Sequence, residues 1–95
     1  MKLIVADDSA LFREGLIGLL ERQGHEVVAF AASAPELEAV ASKNEAEVIV
    51  TDVRMPPEMA NDGLRAAVAI RGRAPETGIM VLSQYVAPAY ASQLF

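Results

Sequence analysis

Asp52 closes the run Val48-Ile49-Val50-Thr51-Asp52, and the pair Asp7-Asp8 follows the run Lys2-Leu3-Ile4-Val5-Ala6. Val48 to Val50 is too short for a helix and too uniformly apolar for a half-exposed strand, so it predicts a strand buried on both faces of a parallel sheet. Asp52 then stands at the carboxyl end of a central strand, the rim on which open α/β sheets bind ligands. If the two strands are parallel neighbours, three carboxylates meet within a few ångströms, which is costly unless a cation or a proton neutralises them. Read alone, an acid pair after a strand also serves as a solvated turn or a helix cap; the conjunction with Asp52 is what points to a site. A further apolar run, Gly78-Ile79-Met80-Val81-Leu82-Ser83, ends on a hydroxyl.

The elements that must position these groups follow in alternation. After the acid pair, Phe12, Leu16, Leu19 and Leu20 fall at helical spacing, with Asp8 or Ser9 available as a cap and Gly24 as a stop. Glu26–Ala31 is a weaker apolar run, as suits an edge strand. Ser33-Ala34-Pro35-Glu36 has capping-box spacing with proline just inside the helix, and Leu37, Val40 and Ala41 give that helix one narrow apolar stripe. Beyond Asp52, the loop from Met55 to Gly63 holds two prolines and an Asn61-Asp62-Gly63 helix start, and Leu64, Ala67 and Val68 carry a third helix that fades through Gly72 and Pro75. Pro88 lies near the first turn of a fourth helix. The order β-α-β-α-β-α-β-α with short connections implies right-handed crossovers and a parallel sheet.

The 95 residues make one domain. At 53% hydrophobic and 22% charged, the composition is that of a globular chain. The net charge is −5 with Lys and Arg dispersed, which argues against this segment gripping a phosphate backbone; nucleic acid would have to be bound through another domain. The absence of cysteine removes disulfides and thiolate chemistry and fits a reducing cytoplasm. Apolar runs are a few residues long, so neither a membrane span nor a signal peptide is expected. His25, Tyr85 and Tyr90 read as a surface turn residue and two packing aromatics, and Met55 and Met59 as turn and gap-filling residues.

Asp7-Asp8 after the first strand, Asp52 in Asp52-Val53-Arg54-Met55-Pro56, Gly63 opening the third helix and Ser83 closing the fourth strand together resemble the receiver domain of two-component response regulators. Leu82-Ser83-Gln84-Tyr85-Val86 and Tyr90-Ala91 are similar to the NarL/LuxR-type subclass, whose members usually carry a C-terminal helix-turn-helix domain. The resemblance implies a flavodoxin-like (CheY-like) three-layer α/β fold with strand order 2-1-3-4-5. Here it would hold four strands in the order 2-1-3-4. It implies Asp52 as phosphoacceptor and Ser83 as the switch hydroxyl. Mg²⁺ would be held by Asp8 and Asp52 directly, by Asp7 through water and by the Arg54 backbone carbonyl. The implied partner is a sensor histidine kinase, with DNA reached only through an output domain outside this segment. The loop between Asp52 and Gly63 is longer than the family's usual spacing. The family's fifth strand, its phosphoryl-pairing lysine, its aromatic switch residue and its fifth helix have no counterpart in residues 1–95, which implies a receiver incomplete at its C-terminal end and deficient in switching. An apolar fourth strand left at an edge would invite a homodimer or higher oligomer.

A phosphatase of the haloacid-dehalogenase type also uses a strand-end aspartate, but it needs an acid two residues later, where Arg54 stands. A flavin-binding module needs a phosphate cradle after the first strand, where Asp7-Asp8 would repel the phosphate. The surviving alternative to a phosphoacceptor is a non-catalytic interaction or dimerisation module with a vestigial acid pocket. On neither reading is the chain an enzyme.

Overall fold

The computed structural model describes residues 1–82. Its elements are β1 (Lys2–Ala6), α1 (Ala10–Arg22), β2 (Glu26–Ala31), α2 (Ala34–Lys43), β3 (Val48–Asp52), α3 (Asp62–Arg73) and β4 (Gly78–Leu82). The four strands form one sheet, parallel as the alternation of elements predicts and in the order β2-β1-β3-β4 that the family resemblance implies. Local chemistry sets the helix ends. Ser9 caps α1 by accepting from the Phe12 N–H at 3.3 Å, and Gly24, at φ +94°, takes the left-handed conformation that ends it. Ser33 caps α2 by accepting from Glu36 N–H at 3.2 Å, and the Glu36 carboxylate reaches back to Ala32 N–H at 3.0 Å, one residue short of a closed capping box.

The core lies between one sheet face and the α2–α3 pair, and contains Ile4, Ala6, Ala31, Leu37, Ile49, Met55, Ala66 and Ile70. Because strand side chains alternate, Leu3, Val5 and Val50 point to the other face, toward α1. That face is more lightly covered than the sequence pattern suggests. No residue of α1 is buried; Phe12 and Leu19 are exposed, while Leu16 and Leu20 are half-buried. Periodicity identifies an apolar stripe but not the area lying over it, and among the described residues α1 has this face to itself.

Two further expectations are corrected. The buried stripe of α3 is Gly63, Ala66, Ala67 and Ile70, whereas Val68 is 62% exposed and Leu64 also faces solvent. Gly63 is pressed against the end of β3, and from that fixed point the 3.6-residue period selects Ala66, Ala67 and Ile70 for the sheet. His25 is half-buried rather than solvated, and its Nδ1 has no hydrogen-bond partner. On β4, the outer strand among the described residues, Met80 is 55% exposed and Val81 is also open. Ser83, Tyr85, Tyr90 and the fourth helix expected near Pro88 lie outside the described residues.

Candidate functional site

Strand register builds the site. Ala6 pairs with Thr51 in parallel β1 and β3, so the next residues, Asp7 and Asp52, emerge side by side at the carboxyl ends of the two central strands. Asp8 follows in the turn toward α1. Carboxylate oxygens of Asp7, Asp8 and Asp52 lie within 4.8 Å of one another, so the three residues singled out from the sequence do converge.

Each is held differently. Asp7 is buried: its N–H donates to Ala31 O at 3.0 Å, its Oδ1 accepts from Ser9 N–H at 2.8 Å, and its carbonyl accepts from Arg13 Nη1 at 2.7 Å. The same Arg13 guanidinium lies 5.0 Å from the centre of the Phe30 ring, which ties the acid turn to β2. Asp8 is exposed. Asp52 is only 6% exposed, and its carbonyl accepts from Thr51 Oγ1 at 3.0 Å. The chain leaving Asp52 is fixed on both sides, because Val53 N–H donates to Leu82 O at 3.1 Å and Val53 O accepts from Gly63 N–H at 3.0 Å. Arg54 is exposed, and Met55, expected as a turn residue, is fully buried as the anchor of the loop behind it. Sequence reading missed Arg13 and Thr51, whose types carry no signal apart from their three-dimensional neighbours. An open cleft of about 1200 Å³ lies at the opposite, amino-terminal ends of the strands, near Lys2, Asn44 and Thr77, away from these carboxylates.

Burial pushes the Asp52 carboxyl above the usual carboxylate range; the charge of Asp7 adds to the rise and that of Asp8 contributes less, against backbone hydrogen bonds from Arg54 and Val53 that lower it. The folded protein therefore keeps this proton to a higher pH than the unfolded chain. In the window between the unfolded value, about 3.9, and the raised folded one, the native state binds more protons. Stability from this group falls as pH rises through that window and stays lower above it. Asp52→Asn removes the penalty, so in EDTA at pH 7 it is expected to raise the melting temperature by a few degrees. The gain should vanish near pH 4. A variant that melts at or below wild type at pH 7 in EDTA would show that the carboxylate is not strained by its neighbours.

A divalent cation relieves the same repulsion, and the residues fit one. The donors are hard carboxylate oxygens with no thiolate or imidazole among them. Two oxygens bound to one Mg²⁺ at about 2.1 Å can be at most about 4.2 Å apart. Ligand oxygens that all lie within 4.8 Å of one another are close to that spacing, so the cluster is of a size that one such cation could occupy.

The acid pocket, oxygen-only among its candidate ligands, stands where the two central strands of an open parallel sheet end, the rim at which such sheets bind ligands. Residues 3–95 match the response regulator receiver domain, and the chain belongs to that family. It is 36% identical over 86 residues to the oxygen regulatory protein NreC of Staphylococcus haemolyticus, an alignment that covers 90% of this chain and 39% of NreC. Among solved structures it is similar to a LuxR-family two-component response regulator from Aurantimonas sp. SI85-9A1, at 28% identity and TM-score 0.80 over 97% of this chain and 64% of the other. It is similar also to the isolated REC domain of RcsB from Salmonella enterica serovar Typhimurium, at 29% identity and TM-score 0.80 over 99% of this chain and 69% of the other. The family and its flavodoxin-like fold are thus those the sequence motifs indicate. The chain spans 39% of the length of the NreC protein it matches.

Proposed function

We propose that this chain accepts a phosphoryl group on Asp52 from the phosphohistidine of a sensor histidine kinase and so acts as the input half of a cytoplasmic transcriptional regulator. The convergence of Asp7, Asp8 and Asp52 within 4.8 Å, with Asp52 on a rigid strand end, carries this reading. An Asp52 carboxylate oxygen attacks phosphorus, the P–N bond breaks, and the histidine nitrogen leaves with the electron pair and takes up a proton. Thr51 and Gly63 hold the backbone of Asp52 and the segment that follows it, so the nucleophile is positioned before the donor arrives. Asp8 and Asp52 would hold Mg²⁺ directly, Asp7 would hold it through water and the Arg54 carbonyl would complete the protein's share. Bound there, the ion neutralises charge on the transferring oxygens. Ser83 is assigned the switch hydroxyl on family resemblance, and any action on DNA would need an output domain, which residues 1–95 do not include. Because Asp52 is itself modified, the chain is a stoichiometric acceptor rather than an enzyme.

Incubation with acetyl phosphate and Mg²⁺, followed by peptide mass spectrometry, tests the proposal. Because residues 1–95 hold no counterpart of the family's phosphoryl-pairing lysine, one phosphoryl group mapped to residues 48–54 is expected only slowly and at low occupancy, and none on Asp52→Asn. Modification that persists in the variant would move the acceptor elsewhere.

A second reading, self-association, is favoured by the exposure of Met80 and Val81 on the outer strand and of Leu11, Phe12 and Leu19 on α1. Sedimentation equilibrium is expected to show a dimer or higher oligomer; a folded monomer across the whole concentration range would rule it out.

A further inference from the structure

Asp62 is a buried carboxylate that the proposed phosphoryl chemistry leaves unused. It is 6% exposed, and both of its oxygens turn back onto the loop that precedes it. Oδ2 accepts from Glu58 N–H at 3.3 Å and Oδ1 from Ala60 N–H at 3.2 Å. Arg65 Nη2 lies 3.6 Å from Asp62 Oδ1 and 3.1 Å from Glu58 Oε2, so one guanidinium joins the helix to the same loop. The loop is fixed elsewhere too, both on itself and against α2. Met59, at φ 56°, donates its N–H to Met55 O at 3.0 Å, Pro56 O accepts from Ala34 N–H at 3.0 Å, and the Met55 side chain is fully buried.

The upstream end of this closed loop is Arg54, whose carbonyl the proposed function offers to Mg²⁺; the downstream end is Gly63, bonded back to Val53. A segment longer than the family's usual spacing would otherwise sample many conformers, each aiming that carbonyl differently. We propose that Asp62 is a positioning residue for the metal site: by gathering the Glu58 and Ala60 amides it holds the loop closed and aims the Arg54 carbonyl at the Asp8–Asp52 edge. Asparagine cannot reproduce this. Its amide nitrogen donates where Asp62 must accept, so one of the two loop N–H groups loses its partner. The inference rests on the Mg²⁺ reading of the acid pocket.

Calorimetric titration of Mg²⁺ into the wild-type chain, Asp62→Asn, Asp62→Ser and Asp52→Asn separates the two. Partners that orient metal ligands typically change affinity about 10–100-fold when substituted. Asp62→Asn is expected to bind Mg²⁺ at least about ten-fold more weakly, with Asp62→Ser, whose hydroxyl accepts one of the two amides, in between. In the metal-free Asp62→Asn protein the Val53 and Arg54 amide resonances should shift along with those of Glu58 and Ala60 while the body of α3 stays unchanged, a pattern that general destabilisation of α3 would not give. If Asp62→Asn does not fold, Asp62→Ser carries the same comparison. Unchanged affinity in a folded Asp62 variant, with binding lost in Asp52→Asn, overturns the inference and leaves the metal site standing. Absence of Mg²⁺ binding by the wild-type chain overturns both.

Discussion

Gly63→Val is expected to leave no cooperatively folding protein, and Gly63→Ala to lower the melting temperature by about 10 °C or more, where about 4–8 °C corresponds to 1 kcal/mol in a domain of this size. A Cβ on Gly63 would overlap the Asp52 carbonyl oxygen and lie 3.0 Å from both the Asp52 carbonyl carbon and Thr51 Oγ1. Backbone atoms of a central strand cannot swing aside as a flexible side chain would. The helix must therefore lift or the strand end must bend, and overpacking of this kind costs about 1–3 kcal/mol and occasionally more. Either movement also breaks the Gly63 N–H to Val53 O bond that locks the chain leaving Asp52. Any folded Gly63→Ala protein should accordingly lose Mg²⁺ affinity along with stability. Gly15→Ala in α1 is the control, because nothing lies within 4 Å of its Cβ and helix propensity alone should stabilise it by up to about 1 kcal/mol. Thermal melts followed by circular dichroism check both signs; a Gly63→Ala protein that melts with wild type would mean that α3 does not rest on β3.

What could be read in the amino-acid order is what short-range chemistry decides. The apolar runs Lys2–Ala6 and Val48–Asp52 are strands over those same residues, and Ser9, Gly24 and Ser33 begin or end helices through bonds to residues at most four positions away. The acid pocket was legible for the same reason. Once two strands are parallel neighbours, aspartates at their carboxyl ends have little choice but to meet. The missed features depend on contacts distant in sequence. The exposed stripe of α1 reflects that, among the described residues, no other helix covers its sheet face, and the rotation of α3 follows from Gly63 touching Asp52. Met55 reads as a turn methionine until β1 and α2 are folded around it, when it becomes a fully buried anchor. Asp62 looks like an ordinary helix-start residue in Asn61-Asp62-Gly63, yet the actual N-cap, Asn61, makes no side-chain capping bond and the Asp62 carboxylate is spent on the loop behind it.

Asp8→Asn is expected to slow acetyl phosphate modification of Asp52 by about 10²–10³-fold in Mg²⁺, the usual loss when one preorganised electrostatic stabiliser is removed. Asp8 is the informative position because it is exposed, so the substitution leaves the fold intact. Asp7 is not, since its carboxylate accepts from Ser9 N–H inside the protein and its loss would disturb the start of α1. The sign of the effect should depend on the metal. With Mg²⁺ present, Asp8 in its proposed role would help hold the cation that offsets repulsion between the Asp52 carboxylate and an anionic phosphoryl donor, and its removal should be harmful. In EDTA, Asp8 is one more negative charge beside the nucleophile, and the variant should react no more slowly than wild type, although both react far below the rate in Mg²⁺. Intact-mass time courses of the two proteins in the two buffers give the four rates needed. Equal wild-type and variant rates in Mg²⁺ would remove Asp8 from the ligand set. An Asp8→Asn defect of the same size in EDTA would mean that Asp8 positions Asp52 through the chain itself, because only a residue acting through the cation can change the sign of its effect when the cation is taken away.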